Sequence, residues 1–158
     1  LKIGIIGPAE GEIMPFIDKI ENKKKIEHAM LKFYSGAYEG INVVSVFSGV
    51  CKVNAAIATQ ILISKFGVTH IILTGVAGGL NKKLNFGDIV ISNEVAYHDV
   101  ASGILTEYHP WMKDIYFRPD SKLLKLCEEA ANSLQINDKC ITGSLISPFQ
   151  SFVLYLYY

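Results

Sequence analysis

Ile71-Ile72-Leu73-Thr74-Gly75-Val76-Ala77-Gly78-Gly79-Leu80 is an unbroken apolar run that turns abruptly into small residues. Such a run reads as a strand buried on both faces, as in a parallel sheet. Side chains almost vanish between Gly75 and Gly79, so a ligand can approach the backbone closely there. In open α/β sheets ligands sit beyond the carboxyl ends of the strands, which is where this loop falls. A plain tight turn after a core strand has the same composition, so both readings stand. Neither G-x-G-x-x-G nor G-x-x-x-x-G-K-[ST] is present, so neither a dinucleotide fold nor a P-loop is supported.

Upstream, Lys2-Ile3-Gly4-Ile5-Ile6-Gly7 reads as a short buried strand broken by Pro8-Ala9-Glu10-Gly11. Ile13, Phe16, Ile17 and Ile20 then recur at helical spacing, with Pro15 expected in the tolerant first turn. Glu12 therefore falls at a helix N-terminus at the mouth of the first strand. It reads either as a base held ionised by the helix dipole or as simple dipole compensation. Lys23-Lys24-Lys25 reads as a solvated loop. Residues 26–35 and 41–48 read as an antiparallel pair joined by a turn-rich link, Gly36 to Gly40. Residues 52–66 form an Ala- and Ile-rich helix closed by Gly67.

Downstream, Asn81 to Asn85 reads as a polar loop, and Gly87-Asp88 opens a strand from Ile89 to Tyr97 that ends at His98-Asp99. That pair faces two ways on a strand, which favours a structural or rim role. Residues 101–118 lack periodicity and carry Tyr108, His109, Trp111, Tyr116 and Phe117. They suit a cover over a pocket or interface, or over the core. Asp120 caps a helix from Ser121 to Leu134 with Leu123, Leu124, Cys127, Ala130, Ala131 and Leu134 as its buried stripe. Cys140 to Ser147 reads as a further strand, and an apolar, aromatic run continues to Tyr158.

The chain has 158 residues, half of them apolar, with 15 acids balancing 15 bases. One domain, 1–158, accounts for that length. The lack of basic excess argues against a nucleic-acid partner bound by charge. No apolar run spans a bilayer and no signal segment opens the chain, so no membrane association and a cytoplasmic location are expected. Three cysteines without C-x-x-C read as small core residues in a reducing compartment, and four scattered histidines give no metal site.

Four motifs in order resemble one family: Lys2 to Gly7 with Glu10 and Glu12; Ser48-Gly49-Val50 with Lys52-Val53-Asn54-Ala55-Ala56; Thr74 to Leu80; and Gly87-Asp88-Ile89-Val90 with Tyr97-His98-Asp99. They closely resemble the 5′-methylthioadenosine/S-adenosylhomocysteine nucleosidases of the purine and uridine phosphorylase superfamily, over nearly the whole chain to about Ser147. The resemblance implies an α/β fold, a three-layer α/β/α domain around a mixed central sheet, incomplete here at its C-terminal end. It implies hydrolysis of the N-glycosidic bond of the two named nucleosides with release of adenine, no cofactor, and a homodimer.

By the same resemblance Glu12 positions and activates the attacking water. The loop Val76-Ala77-Gly78 lines the ribose and water side, and Ala9 and Val50 border the sugar and its 5′ substituent. Ser102 and Leu105 belong to a segment that closes the partner's thioether pocket. Phe149 or Phe152 stacks the adenine. The chain departs from the family at Val76, where Ser is common, at Ala9, where Met is common, and after Gly143, where the usual purine-stacking stretch is replaced. The family's later Met-Glu and Ser-Asp motifs, which bind ribose and protonate the purine, are absent, so impaired catalysis is expected. Glycosidic cleavage passes through an oxocarbenium-like state and needs an aimed nucleophile, a base and an acid for the leaving group. The loops around Glu10, Glu12 and Gly75 to Gly79 carry no Arg to gather phosphate, so water is the expected nucleophile. The alternatives are a phosphate-dependent purine nucleoside phosphorylase and a non-catalytic nucleoside-binding module.

Overall fold

A computed structural model describes residues 1–101, 103–134, 140–147 and 153–157. The expected purine-stacking residues Phe149 and Phe152, and Ser102 of the expected thioether pocket, lie outside the described residues. The described residues form a nine-stranded sheet with helices against it, an α/β architecture.

Strand β1 (Lys2–Gly7) runs parallel to β4 (Ile41–Phe47) on one side and to β5 (His70–Leu73) on the other. Strand alternation then sends successive side chains of β1 and β4 to opposite faces. On one face Ile5 and Val43 pack with Ile13 and Ile17 of α1 (Glu10–Asp18). On the other, Ile6, Val44 and Val46 pack with Ala58 and Leu62 of α2 (Lys52–Ser64), with Phe33 and Ile71 completing the cluster. The Ile71 run thus has the expected parallel neighbour in β1, but its other neighbour, β9 (Val153–Tyr157), is antiparallel. The strand therefore sits in a mixed sheet, and with only Ile71 of the four β5 residues fully buried it is less enclosed than its apolar run suggests.

The expected antiparallel pair is in fact three strands, β2 (Glu21–His28), β3 (Leu31–Tyr38) and β4. The stretch read as one strand over 26–35 is folded back at Ala29 and Met30, whose φ values are 48° and 64°. A two-residue hairpin needs left-handed backbone at both central positions, usually signalled by Asn or Gly. Ala29-Met30 gives no such signal. Lys23-Lys24-Lys25 consequently lies within β2, at one end of the sheet order, and is not a loop. The second hairpin turns at Glu39-Gly40, so Gly36 lies within β3 rather than in a link.

Pro15 is the sixth residue of α1, beyond the first turn where it was expected. Strand β6 (Ile89–Tyr97) keeps the expected bounds and pairs in parallel with β8 (Cys140–Ser147). It also meets β7 (Tyr116–Phe117) and β9 (Val153–Tyr157), and β9 bridges to β5. Residues 101–118 are not wholly irregular, since they contain a short helix, α3 (Ile104–Tyr108), as well as β7. Helix α4 (Ser121–Ser133) is capped as expected, the Asp120 carboxylate accepting from the Lys122 and Leu123 amides. Of its expected buried stripe only Ala131 is fully buried, and Ala130 and Leu134 are exposed.

Cys51 is exposed and not a core residue, while Cys127 and Cys140 are half-buried. Burial pushes the Cys127 thiol up to about 11, so it stays protonated at neutral pH.

Gly36 shows why β3 needs a glycine. A Cβ there would lie 2.3 Å from the Glu21 carbonyl oxygen and 2.6 Å from Ile20 Cγ2, where the chain leaving α1 crosses β3. Backbone cannot yield cheaply at such a distance. Gly36→Ala is expected to destabilise the protein by about 1–3 kcal/mol, the usual cost of overpacking. Urea denaturation checks this, and an unchanged midpoint would contradict it.

Candidate active site

Three chain segments converge beyond the carboxyl ends of the parallel strands. The Ser48 amide donates to the Gly7 carbonyl (3.0 Å), and the Thr74 amide donates to the Ile6 carbonyl (2.9 Å). These bonds set the β4–α2 turn and the glycine loop on either side of Pro8 and Ala9.

Glu12 ties two of the segments together. It is the third residue of α1, and its Oε2 accepts from the Ala9 amide at 2.8 Å, satisfying the N-cap donor of its own helix. Its Oε1 accepts from the Val76 amide at 2.7 Å, across to the glycine loop. Gly75 lets this happen. A Cβ at Gly75 would lie 3.0 Å from the Pro8 ring and 3.3 Å from Glu12 Oε2. A small residue at position 75 thus suits the close approach of the Pro8 ring and, next to it, the Glu12 carboxylate.

Beside Glu12 is an open cavity of about 620 Å³, lined by Ala9, Gly11, Glu12, Pro15, Phe16, Thr74 and Val76. Its walls are mostly apolar, and Glu12 is the one charged group among these lining residues. A half-exposed carboxylate with an oxygen on each of two amides keeps free lone pairs for a water. Of the expected site residues, the structure brings Ala9, Glu12 and Val76 around this cavity. Ala77 is half-buried and Gly78 exposed in the same loop, while Val50 and Leu105 are not among the lining residues. Gly11, Pro15, Phe16 and Thr74 were not singled out from the sequence. The helical face bearing Phe16 reads as core, and only its position beside Thr74 shows that it borders a cavity. A second depression of about 460 Å³ lies elsewhere, lined by residues including Lys2, Lys24, Ser35 and Asn42, and contains no carboxylate.

Val50 lies in a strained turn. Gly49 and Cys51 have φ of 76° and 84°, and positive φ at a non-glycine residue costs about 1–3 kcal/mol. Asn54 steadies the turn by donating to the Val50 carbonyl at 2.7 Å. Lys52 forms an ion pair with Asp99, at the end of β6. The Lys52 ammonium, by its hydrogen bond, holds the Asp99 carboxyl below the usual carboxylate range. His98 Nδ1 lies 3.5 Å from the other Asp99 oxygen, a rim arrangement. No cluster of metal-ligating side chains occurs among the described residues.

Comparison with known proteins adds the family. Residues 2–148 match the family described as Phosphorylase superfamily. The chain belongs to that superfamily. A 5′-methylthioadenosine/S-adenosylhomocysteine nucleosidase of Geobacillus sp. is 40% identical over 156 residues, covering 97% of this chain and 66% of the relative. That of Staphylococcus haemolyticus is 42% identical over 148 residues, covering 92% and 64%. The chain thus spans slightly less than two thirds of the length of these curated relatives. Among solved superfamily structures, the nucleosidase of Colwellia psychrerythraea in complex with adenine superposes with a TM-score of 0.83 at 33% identity, covering 98% of this chain and 72% of that one. The Neisseria meningitidis enzyme in complex with methylthio-immucillin-A gives 0.82 at 32% identity, covering 92% and 64%. The fold of this chain is that of these phosphorylase-superfamily structures.

Removing the Glu12 carboxylate strands two backbone donors. Glu12→Ala is expected to cost about 1–3 kcal/mol of stability. Glu12→Gln, which keeps an acceptor oxygen, should cost less. Chemical denaturation of the two variants checks the order, and equal costs would show that the amides find water at no loss.

Proposed function

We propose that this protein hydrolyses the N-glycosidic bond of 5′-methylthioadenosine and S-adenosylhomocysteine, releasing adenine, in the cytoplasm and as a step of methionine salvage. The observation that carries this reading is the Glu12 carboxylate, fixed by the Ala9 and Val76 amides at the wall of a largely apolar cavity. Such a carboxylate can hold and deprotonate a water aimed at the anomeric carbon. Apolar walls from Ala9, Phe16 and Val76 suit a neutral thioether nucleoside. The ligand-bound relatives support a purine nucleoside as the substrate class. In this reading Val76, Ala77 and Gly78 face the ribose, and Ala9 and Val50 border the 5′ substituent. Leu105 and Ser102 serve the partner's thioether pocket, and Phe149 or Phe152 stacks the purine.

Water is the nucleophile in this proposal. The cavity-lining residues include no Arg or Lys, and a carboxylate at their centre repels phosphate. No acid besides Glu12 is among them to protonate the purine, so slow adenine release by these 158 residues alone is expected. The test is adenine release from methylthioadenosine with and without phosphate, for the unmodified chain and Glu12→Gln. A phosphate-independent rate that falls about 10²–10⁴-fold in the variant, with nucleoside binding nearly intact, is the expected result. Formation of a ribose 1-phosphate would instead establish a phosphorylase, and binding with no turnover would establish a binding module.

The proposal includes a homodimer. Helix α2 carries apolar residues on its outer side as well as its inner one, leaving Val53 67% and Ile57 46% exposed one turn apart. Neighbouring exposed apolar side chains of this kind suit a contact surface. Sedimentation should give a dimer at micromolar concentration, and Val53→Glu with Ile57→Glu should give a monomer. A monomer in both cases would remove this part of the proposal.

A further inference from the structure

The β4–α2 turn and the end of β6 are 47 residues apart in sequence, yet one side chain holds them together. Lys52, the first residue of α2, gives its ammonium to the Asp99 carboxylate. The same ammonium lies over the Tyr97 ring, 5.1 Å from its centroid. Tyr97 in turn meets Phe117 of β7 edge-on, with ring centroids 5.6 Å apart. A lysine is poorly placed at a helix N-terminus, where the dipole disfavours a cation. Nothing in α2 itself rewards it there. Its partners all come from the end of β6.

The residues on either side of this contact are strained or special. Cys51, immediately before Lys52, has φ 84° and ψ 151°, a conformation that a side-chain-bearing residue adopts only when its surroundings enforce it. Gly103, four residues beyond Asp99, has φ 89° and starts α3. Holding Lys52 to Asp99 fixes where both departing segments begin, the one bearing Val50 and the one bearing Leu105.

We infer that Lys52 is a positioning residue that clasps the β4–α2 turn to the segment leaving β6, so that the two move as one wall. This rests on the nucleosidase reading only in its kinetic consequence. If these segments border the 5′ substituent, the clasp sets how tightly a long substituent is held and leaves the bond-breaking step alone. Lys52 touches neither the cavity nor Glu12. The Lys52 hydrogen bond lowers the Asp99 pKa from its ordinary value, in keeping with the ion pair.

The experiment compares the unmodified chain with Lys52→Met, Asp99→Asn and Lys52→Arg. Amide hydrogen exchange followed by mass spectrometry reads the clasp without any need for turnover. Lys52→Met and Asp99→Asn are each expected to speed exchange about fivefold both in residues 49–55 and in residues 98–108. Exchange in β1 and β4 should be unchanged, and Lys52→Arg should stay near the unmodified chain. Faster exchange in only one segment, or in neither, overturns the inference. In the kinetic arm, KM for S-adenosylhomocysteine should rise about fivefold in the two disruptive variants, KM for methylthioadenosine should rise less, and kcat should stay within about twofold. A fall in kcat with KM unchanged would overturn the positioning role. If the unmodified chain releases no adenine from either nucleoside, the nucleosidase reading fails by itself, and the exchange comparison still decides the clasp.

Discussion

A single carboxylate between two backbone amides organises this end of the molecule. Glu12 reaches back to the amide at the start of its own helix and across to the amide of Val76. Backbone amides at a helix start have no intrahelical acceptor, and the amide after Gly75 lies past the end of its strand. One side chain satisfies a donor of each kind. The strand β1, the helix α1 and the loop after β5 are therefore set in one geometry, and the cavity follows from that geometry.

The constraint propagates to residue size. A Cβ at Gly75 would crowd the Pro8 ring and Glu12, which would have to give by a few tenths of an ångström. Gly7, at the end of β1, is under greater pressure, since a Cβ there would lie 2.7 Å from Ile13 Cβ. Small residues at the ends of β1 and β5 thus let α1 come down onto the strand ends. A longer side chain at either glycine would push the helix, and Glu12 with it, away from the loop.

Much of this was legible in the sequence. The apolar runs of β1 and β5, the bounds of β6 and the Asp120 cap follow from local periodicity and capping chemistry, and each acts within a few residues. Glu12 was legible as a first-turn acid, because that is a local property. Its bond to Val76 was not, because 64 residues separate the partners. The same holds for Lys52 and Asp99. The Ala29-Met30 turn was missed for a different reason. The tertiary pairing of β2 with β3 overrides what those two residues prefer, so no turn-forming residue marks the reversal. Residues 52–66 read as a helix, and α2 ends two residues sooner, at Ser64; composition alone did not show that its outer face stays open.

The lysines of β2 bear on how copies of this chain can meet. β2 is at one end of the sheet order, and an end strand offers unpaired amides and carbonyls to any second strand. Lys23, Lys24 and Lys25 stand along it, with Lys23 and Lys25 already engaged by Asp18 and Glu27. Extending the sheet through β2 would require stripping water from these ammonium groups and reorganising their pairs. Growth along the hydrogen-bonding direction, which has no natural end, is thereby discouraged. Contact through the open side of α2 carries no such penalty, and a two-fold contact of that kind uses up its own surface and stops at two. The charge on β2 thus opposes sheet extension at that edge, and the dimer proposed above is a contact of the closed kind.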